Sequence, residues 1–344
     1  MTAQPAAYAD TRSLDEISAA IEAIAAGEPV VVIGQSAAAR AVLTIAAADA
    51  TAGDVTRMAA EARGVVCAAA TTERLDELEI PPLTGRSGLA RHAETRVGVD
   101  HRECLHDAMS AAARAQTARA LADPSLRASD FSVPGRLFPL AARSGGVLRR
   151  ADPVEAAVDL ARLAGVTPVA LLCEIVGDDG APASIPAAMR LARRTGAPVV
   201  SVDALVRFRL DRDLLVRRVV ETALPLPAGP FRAIGYESAA GAADHVALAL
   251  GDPAAPGAPR FVHLRCGGEA LGLCGCRARL DSALAEIAAA GDGVLAVLAG
   301  EDRPSITTQP RCATSASPQE LPRLLAGIAR SIFGDLGIRD LGIR

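Results

Sequence analysis

Residues 131–180 read FSVPGRLFPLAARSGGVLRRADPVEAAVDLARLAGVTPVALLCEIVGDDG, and the order of turns, helix and strand in them decides the fold. A Pro134-Gly135 turn leads into Phe138-Pro139-Leu140, and a Gly145-Gly146 turn leads into the pair Arg149-Arg150. Apolar residues at helical spacing over about 153–164 predict a capped amphipathic helix. The run 169–176 is apolar enough for a buried strand, yet it carries Glu174 before the turn Asp178-Asp179-Gly180. A carboxylate in such a strand is costly unless it is paired or used, so Glu174 is a candidate site residue.

Outward from this segment the same alternation continues. An amphipathic helix is expected over 14–26, with Ser13 as its N-cap and Gly27 after its end, followed by a buried strand over 29–33. Helical patterns then alternate with apolar strands up to a strand and helix over 199–209. This predicts an α/β or α+β domain over 1–212. A charged stretch over 211–225 opens a new strand pattern and a second, α+β domain over 213–344. There strands are expected at 231–236, 245–250, 260–265 and 293–299. Helices are expected at 277–290 and 319–335, with a polar loop over 301–318. The chain ends in the tandem DLGIRDLGIR, a slipped repeat of the kind that marks relaxed constraint rather than a site.

A chain of 344 residues holds two ordinary cores. With 50% hydrophobic but only 2% aromatic residues, those cores are built from Ala, Val, Leu and Ile. All 36 cationic residues are arginine, which excludes a Schiff-base lysine and a P-loop lysine. A GC-rich coding sequence would give the same bias. The net charge of −4 gives no electrostatic reason to expect nucleic acid. The longest apolar runs are strand-length, so no membrane span is expected. The first residues have no basic start followed by an apolar run. Seven cysteines, three of them clustered, suit a reducing cytoplasm and a metal better than a disulfide framework.

The motifs of 131–180 resemble 3,4-dihydroxy-2-butanone 4-phosphate synthase, which makes the four-carbon precursor of riboflavin from ribulose 5-phosphate. That family reads close to RPGHVFPL, then GGVL-x-R-x-GHTEA, then CE followed by DDG. The framework matches, but Arg136 stands where the resemblance places a catalytic histidine and Pro153 where it places a metal-binding one. The family's acidic loop, close to DDEDRENEGD, is here Gly34-Gln35-Ser36-Ala37-Ala38-Ala39-Arg40, with every carboxylate gone. The family's enediol chemistry needs a divalent ion and those carboxylates, so no magnesium site is expected. By the same resemblance Arg150 holds the position that contacts substrate phosphate, Glu174 that of an acid/base carboxylate, and Cys67 that of a pocket residue. Each has a plainer reading. Cys67 also suits a small buried apolar position, and Arg150 with Glu174 also suits a leftover ion pair. His106, beside Cys104 and Asp107, is either a new acid/base or metal group or a solvent-facing loop residue.

From about residue 218 the chain resembles GTP cyclohydrolase II, the usual C-terminal partner of the synthase. The resemblance rests on 224–231, on His245-Val246-Ala247-Leu248, on Val262-His263-Leu264-Arg265-Cys266 and on Leu273-Cys274-Gly275-Cys276. It implies a zinc ion held by Cys266, Cys274 and Cys276, with His263 as the alternative first ligand. Three ligands with an open fourth position suit catalytic zinc. The seven residues between Cys266 and Cys274 make a shorter loop than the family's. Glu301 and Arg303 match the run that contacts GTP phosphates, whereas Asp302 replaces its central glycine. The chain shows no counterpart of the catalytic aspartate and arginine, and the domain reads as truncated.

Taken together, the resemblance implies a riboflavin-biosynthesis relative in which the residues of both reactions are replaced. One reading is a silent relative that binds a small phosphorylated ligand or regulates a partner, as a homodimer or a mixed dimer with an active paralogue. A second is an enzyme repurposed for another sugar-phosphate or nucleotide-derived substrate. A third is residual synthase activity.

Overall fold

A computed structural model describes residues 6–35, 40–83, 94–239, 244–265, 275–299 and 323–338. Contacts divide the chain into two compact units, Met1–Arg209 and Leu210–Arg344. The architecture is the mixed α/β one expected, with a sheet in each unit.

The first unit runs α1 (Ala6–Ala25), β1 (Val30–Ile33), β2 (Ala41–Ala46), α2 (Ala52–Ala62), β3 (Arg63–Thr71), α3 (Thr72–Glu77), β4 (Glu94–Thr95) and β5 (Val99–His101). It continues with α4 (Ala111–Ala122), β6 (Phe131–Ala142), α5 (Pro153–Leu163), β7 (Val169–Ile175), α6 (Ile185–Thr195), β8 (Val199–Ser201) and α7 (Val202–Arg212). Its sheet has the order β4-β6-β3-β7-β2-β1-β8, with β5 paired to β6. Pairing is mixed: β3 runs parallel to β6 and β1 to β8, whereas β7 lies antiparallel between β3 and β2. Strands β1 and β2 are buried at every residue, because helices cover both faces and an unbroken apolar run is what such strands require.

One face packs on α2, α4 and α6 through Val31, Leu43, Ile45, Leu171 and Cys173. Alanines of α4 at 113, 115, 118, 120 and 122 are all buried, so the scarcity of aromatics is met by close approach rather than by large side chains. The other face packs on α5, which itself touches α1. Pro153–Ala161 of α5 are all buried. The helix expected to be amphipathic is therefore enclosed over most of its length, as its many alanines and valines permit. The first helix begins at Ala6, not at 14, and contains Ser13 within it. The Ala-rich run before Ser13 holds no breaker, so helix propensity carries it onward.

The second unit has β9 (Val216–Leu226), β10 (Gly229–Ser238), β11 (Asp244–Leu250), β12 (Arg260–Arg265), α8 (Cys276–Ala290), β13 (Gly293–Ala299) and α9 (Arg323–Asp335). Sheet order is β12-β13-β11-β10-β9, antiparallel except for the parallel β12–β13 pair that α8 connects. Phe231, Leu248, Leu284, Ile287 and Leu295 form its core against α8. At the sheet edge, β9 is exposed over nine consecutive residues after Val216, and its register slips beside Gly235 and Tyr236. The Tyr236 hydroxyl donates to Asp335 Oδ2 of α9 at 2.6 Å. The expected strands and α8 stand within two residues of their places, and α9 starts at Arg323. The loop expected over 301–318 and the end of the tandem repeat lie outside the described residues.

Candidate functional site

The candidate site residues gather where β7 ends, near the N-terminus of α5. Strand partners in a ladder share a face. Cys67 of β3 pairs with Leu172 and Phe138, and Glu174 pairs with Val42 of β2. Cys67 and Glu174 thus point to the α5 face, while Cys173 joins the opposite core. A Cβ on Gly64 would stand 2.2 Å from the Glu174 carbonyl oxygen, so only glycine lets β3 approach the strand this closely. The Gly34 N–H donates to the Arg40 carbonyl at 3.0 Å and closes the β1–β2 hairpin. A Cβ on Gly34 would meet Pro153 at 3.6 Å, which puts Arg40 and the start of α5 side by side.

Charges in this region are arranged in pairs. Arg40 approaches Asp152, the N-cap of α5, at 3.6 Å and Glu174 at 3.9 Å. Arg150 meets Glu155 at 2.5 Å and donates to the Ala141 carbonyl at 3.3 Å. The ion pair expected between Arg150 and Glu174 is corrected accordingly: each has a different partner, because Glu155 lies one helical turn from the loop that carries Arg150. Glu174 stands near the strand end with its side chain 34% exposed. The cost expected of a carboxylate on that strand is met only in part: the side chain reaches solvent and lies near Arg40, yet its Oε1 is buried without a hydrogen-bond partner among the described residues. Glu155 is fully buried, and burial pushes its carboxyl up to about 7 against the opposing pull of Arg150 and of the Arg143 N–H.

One turn along α5, Asp159 accepts from the Val147 N–H at 2.8 Å and from Arg209 at 2.7 Å, with Arg162 at 3.3 Å. It ties α7 and the Gly145-Gly146 turn to α5. Gly146 has φ +60°, and a Cβ there would stand 2.2 Å from Asp159 Oδ1. Burial raises the Asp159 carboxyl above its ordinary value despite these donors.

At the two positions where the resemblance places histidines, the groups differ in kind. Arg136 pairs with buried Asp100 at 2.6 Å and also donates its backbone N–H to Asp100 Oδ1 at 3.0 Å. Pro153 is the first residue of α5 and brings no donor, acceptor or metal ligand in its side chain. The Cys67 thiol is pushed up to about 11, mainly by burial and then by Cys173 and Glu174. It remains a protonated thiol at neutral pH. His106 is exposed, whereas Cys104 turns inward and donates to the His101 carbonyl at 3.1 Å. That trio does not converge. Among the described residues no three His, Cys, Asp or Glu side chains could hold a metal ion together. The donor set at Asp152 and Glu174, with a guanidinium between, does not fit magnesium.

In the second unit Cys276 is the buried first residue of α8, and its sulfur accepts from Arg279 at 3.4 Å. His263 is a nearly buried residue of β12. Buried His245 accepts from the Ala299 N–H at 3.2 Å, and burial holds its ring below the usual histidine range. Cys266, Cys274, Glu301 and Arg303 lie outside the described residues.

Known proteins share this two-unit layout. The family model of 3,4-dihydroxy-2-butanone 4-phosphate synthase matches residues 18–208, and that of GTP cyclohydrolase II matches 217–341. The riboflavin biosynthesis protein RibBA of Chlorobium phaeovibrioides is 38% identical over 86% of this chain and 73% of its own length. The chain belongs to this riboflavin-biosynthesis family. RibBA of Bacillus mycoides is likewise 38% identical, over 72% of this chain, and the match spans only 63% of that protein. The crystal structure of RibBX, a two-domain 3,4-dihydroxy-2-butanone 4-phosphate synthase from A. baumannii, covers 95% of this chain and 92% of its own, with a TM-score of 0.76 at 26% identity. A synthase solved in complex with two magnesium ions matches 57% of this chain and 97% of its own, with a TM-score of 0.54 at 33% identity. No helix among the described residues is long and apolar enough to cross a membrane.

Sequence reading missed Glu155, Asp159 and Arg209. A signal was present: Glu155 and Asp159 fall four residues apart in a helix otherwise rich in Ala, Val and Leu, where charges demand partners.

Proposed function

We propose that this family member has lost both the synthase and the GTP cyclohydrolase II reactions and serves as a ligand-binding or regulatory relative. The observation that carries this reading is the pair Arg136 and Pro153. A guanidinium is always charged near neutral pH and a proline ring has no proton to exchange. Neither can replace an imidazole in proton transfer or in holding a metal. The raised Cys67 thiol supports the same reading, since it supplies little thiolate.

Arg150 and Glu174 are then what remains to contact a small phosphorylated ligand. The chain works in the cytoplasm as a homodimer, or as a mixed dimer with an active paralogue. A zinc ion on Cys266, Cys274 and Cys276, or on His263 with the last two, is retained only as a structural element of the second unit.

The test is formate release. Purified chain given ribulose 5-phosphate and Mg²⁺, and separately GTP, should release none, while an active fused relative does so in the same assay. Turnover within the ordinary enzyme range of about 1 per second or more would overturn the proposal. Zinc analysis of the purified chain, repeated on Cys274→Ala, checks the metal: stoichiometric zinc that the substitution removes is expected.

A further inference from the structure

We propose that Arg40 takes the place of a divalent metal ion between Asp152 and Glu174 and keeps one out, so that an anionic ligand is held there without metal. The inference rests on the reading of this pocket as a ligand site. Its physical basis is the convergence of two carboxylates from separate elements, Asp152 at the start of α5 and Glu174 near the end of β7, on one guanidinium.

Carboxylates brought together from distant parts of a chain repel unless a cation lies between them. Relatives of this fold are seen with magnesium, the cation that a carboxylate pair ordinarily attracts. In this chain the hairpin loop that leads from β1 to β2 has no acidic residue between Gly34 and Arg40, and Pro153 adds no ligand. Magnesium needs close to six oxygens at about 2.0–2.1 Å in near-octahedral geometry and gives up its water reluctantly. Two protein carboxylates facing a fixed positive charge do not offer that. The guanidinium stands between them instead at ion-pair distance, close enough to offset their charge, while Glu174 Oε1 is buried without a hydrogen-bond partner among the described residues. The loop's ends fix it there, because the Gly34 N–H binds the Arg40 carbonyl and Gly34 packs on Pro153.

Two properties of Arg40 make it suitable as a built-in cation. It cannot be lost by dilution or chelation, and its planar fork of donors suits carboxylate and phosphate oxygens. Its side chain is also 38% exposed, so an incoming anion can reach it. Arg150, on the same α5 side of the sheet, is held by Glu155. A phosphate group would therefore find Arg40 more accessible than Arg150, whose side chain is 12% exposed.

Manganese, whose unpaired electrons report its free concentration, is the probe. Wild-type chain, Arg40→Gln, Arg40→Glu and the double variant Arg40→Glu with Asp152→Asn are titrated with Mn²⁺ and followed by electron paramagnetic resonance. Ribulose 5-phosphate binding to the wild type is measured separately by calorimetry in EDTA. Arg40→Glu should bind one Mn²⁺ at least about tenfold more tightly than the wild type, Arg40→Gln should show a smaller gain, and Asp152→Asn should abolish it. Mn²⁺ should also raise the melting temperature of Arg40→Glu and leave the wild type unmoved, since a ligand stabilises only the state it binds. Stoichiometric Mn²⁺ on the wild type at the affinity of the glutamate variant would overturn the inference, as would the absence of any gain in both variants. If Arg40→Glu does not fold, Arg40→Gln decides. If the Mn²⁺ gain appears but ribulose 5-phosphate does not bind, the ligand-pocket reading falls and the role of Arg40 as the excluding cation stands.

Discussion

Asp159→Ala removes the carboxylate that holds α7, the Gly145-Gly146 turn and α5 together. The side chains of Asp159 and Arg209 are 3% and 4% exposed. Alanine takes this carboxylate from the buried Arg209 guanidinium, which keeps its bond to the Gly145 carbonyl, and leaves the Val147 N–H without its acceptor. Breaking a buried ion pair from one side costs about 3–5 kcal/mol, and a buried N–H left unpaired adds about 1–3 kcal/mol. Water entering the vacated space returns part of this, so roughly 4–6 kcal/mol is expected. In a unit of this size each 1 kcal/mol moves the midpoint by about 2–4 °C, and the first unit should melt roughly 10–20 °C lower. With no Trp and two Tyr, intrinsic fluorescence says little, so calorimetry or far-UV circular dichroism is the assay. Asp159→Leu combined with Arg209→Met removes both charges and should recover more than half of the loss. A single variant melting within about 2 °C of wild type, or a double variant as unstable as the sum of the singles, would refute the account of this charge layer.

Glu155 gives a pH prediction. Its folded-state carboxyl lies at about 7 against an ordinary 4.5, so the folded chain binds this proton more tightly than the unfolded one. The group imposes no penalty below about pH 4.5, a growing one between 4.5 and 7, and its full cost above 7. Urea melts of Glu155→Gln should gain on wild type by roughly 2.5 kcal/mol between pH 5 and pH 8, and parallel profiles would show that the proton is not there. Cys67, at about 11, should alkylate with iodoacetamide about 100-fold more slowly than free cysteine at neutral pH. Peptide mapping that showed its rate levelling off by pH 8 would restore it as a nucleophile. Gly135→Ala should not yield folded protein, because its Cβ would stand 2.1 Å from the Val99 backbone carbon. Gly165→Ala, at φ +75° in open space, should cost only about 1 kcal/mol; similar melting of the two would mean that β5 and β6 do not approach as described.

Elements that obey a single periodicity were legible from sequence. Strand β12 and helix α8 needed only their apolar pattern and flanking glycines, and the turn residues placed β7. What escaped was pairing across distance. Arg209 lies fifty residues from Asp159 in the chain, and nothing local marks the two as partners. Arg40 reads in sequence as one more surface arginine after a run of alanines. Only the hairpin that returns it beside Pro153 gives it carboxylate neighbours. Glu174 was legible as a costly residue, but the cation nearest it was not, because a guanidinium just ahead of another strand is invisible to spacing. The early start of α1 was missed for the opposite reason: Ser13 is a good cap by type, and the helix simply continued past it.

The exposed edge of the second unit has a consequence for how copies of this chain meet. Strand β9 offers a row of N–H and C=O groups with Val219 and Val220 about half exposed beside them, the template on which another chain's strand can grow. Two features limit it. The register slip opposite Gly235 and Tyr236 kinks one end of the strand, and Pro225 withholds a donor at the other. Between them only residues 220–224 present a straight ladder. A deletion that regularised the slip together with Pro225→Val would lengthen this ladder to most of the strand and turn a closed molecule into a link in a fibre. How far this edge can extend a neighbour's sheet is therefore limited by one irregularity of register and one imino acid.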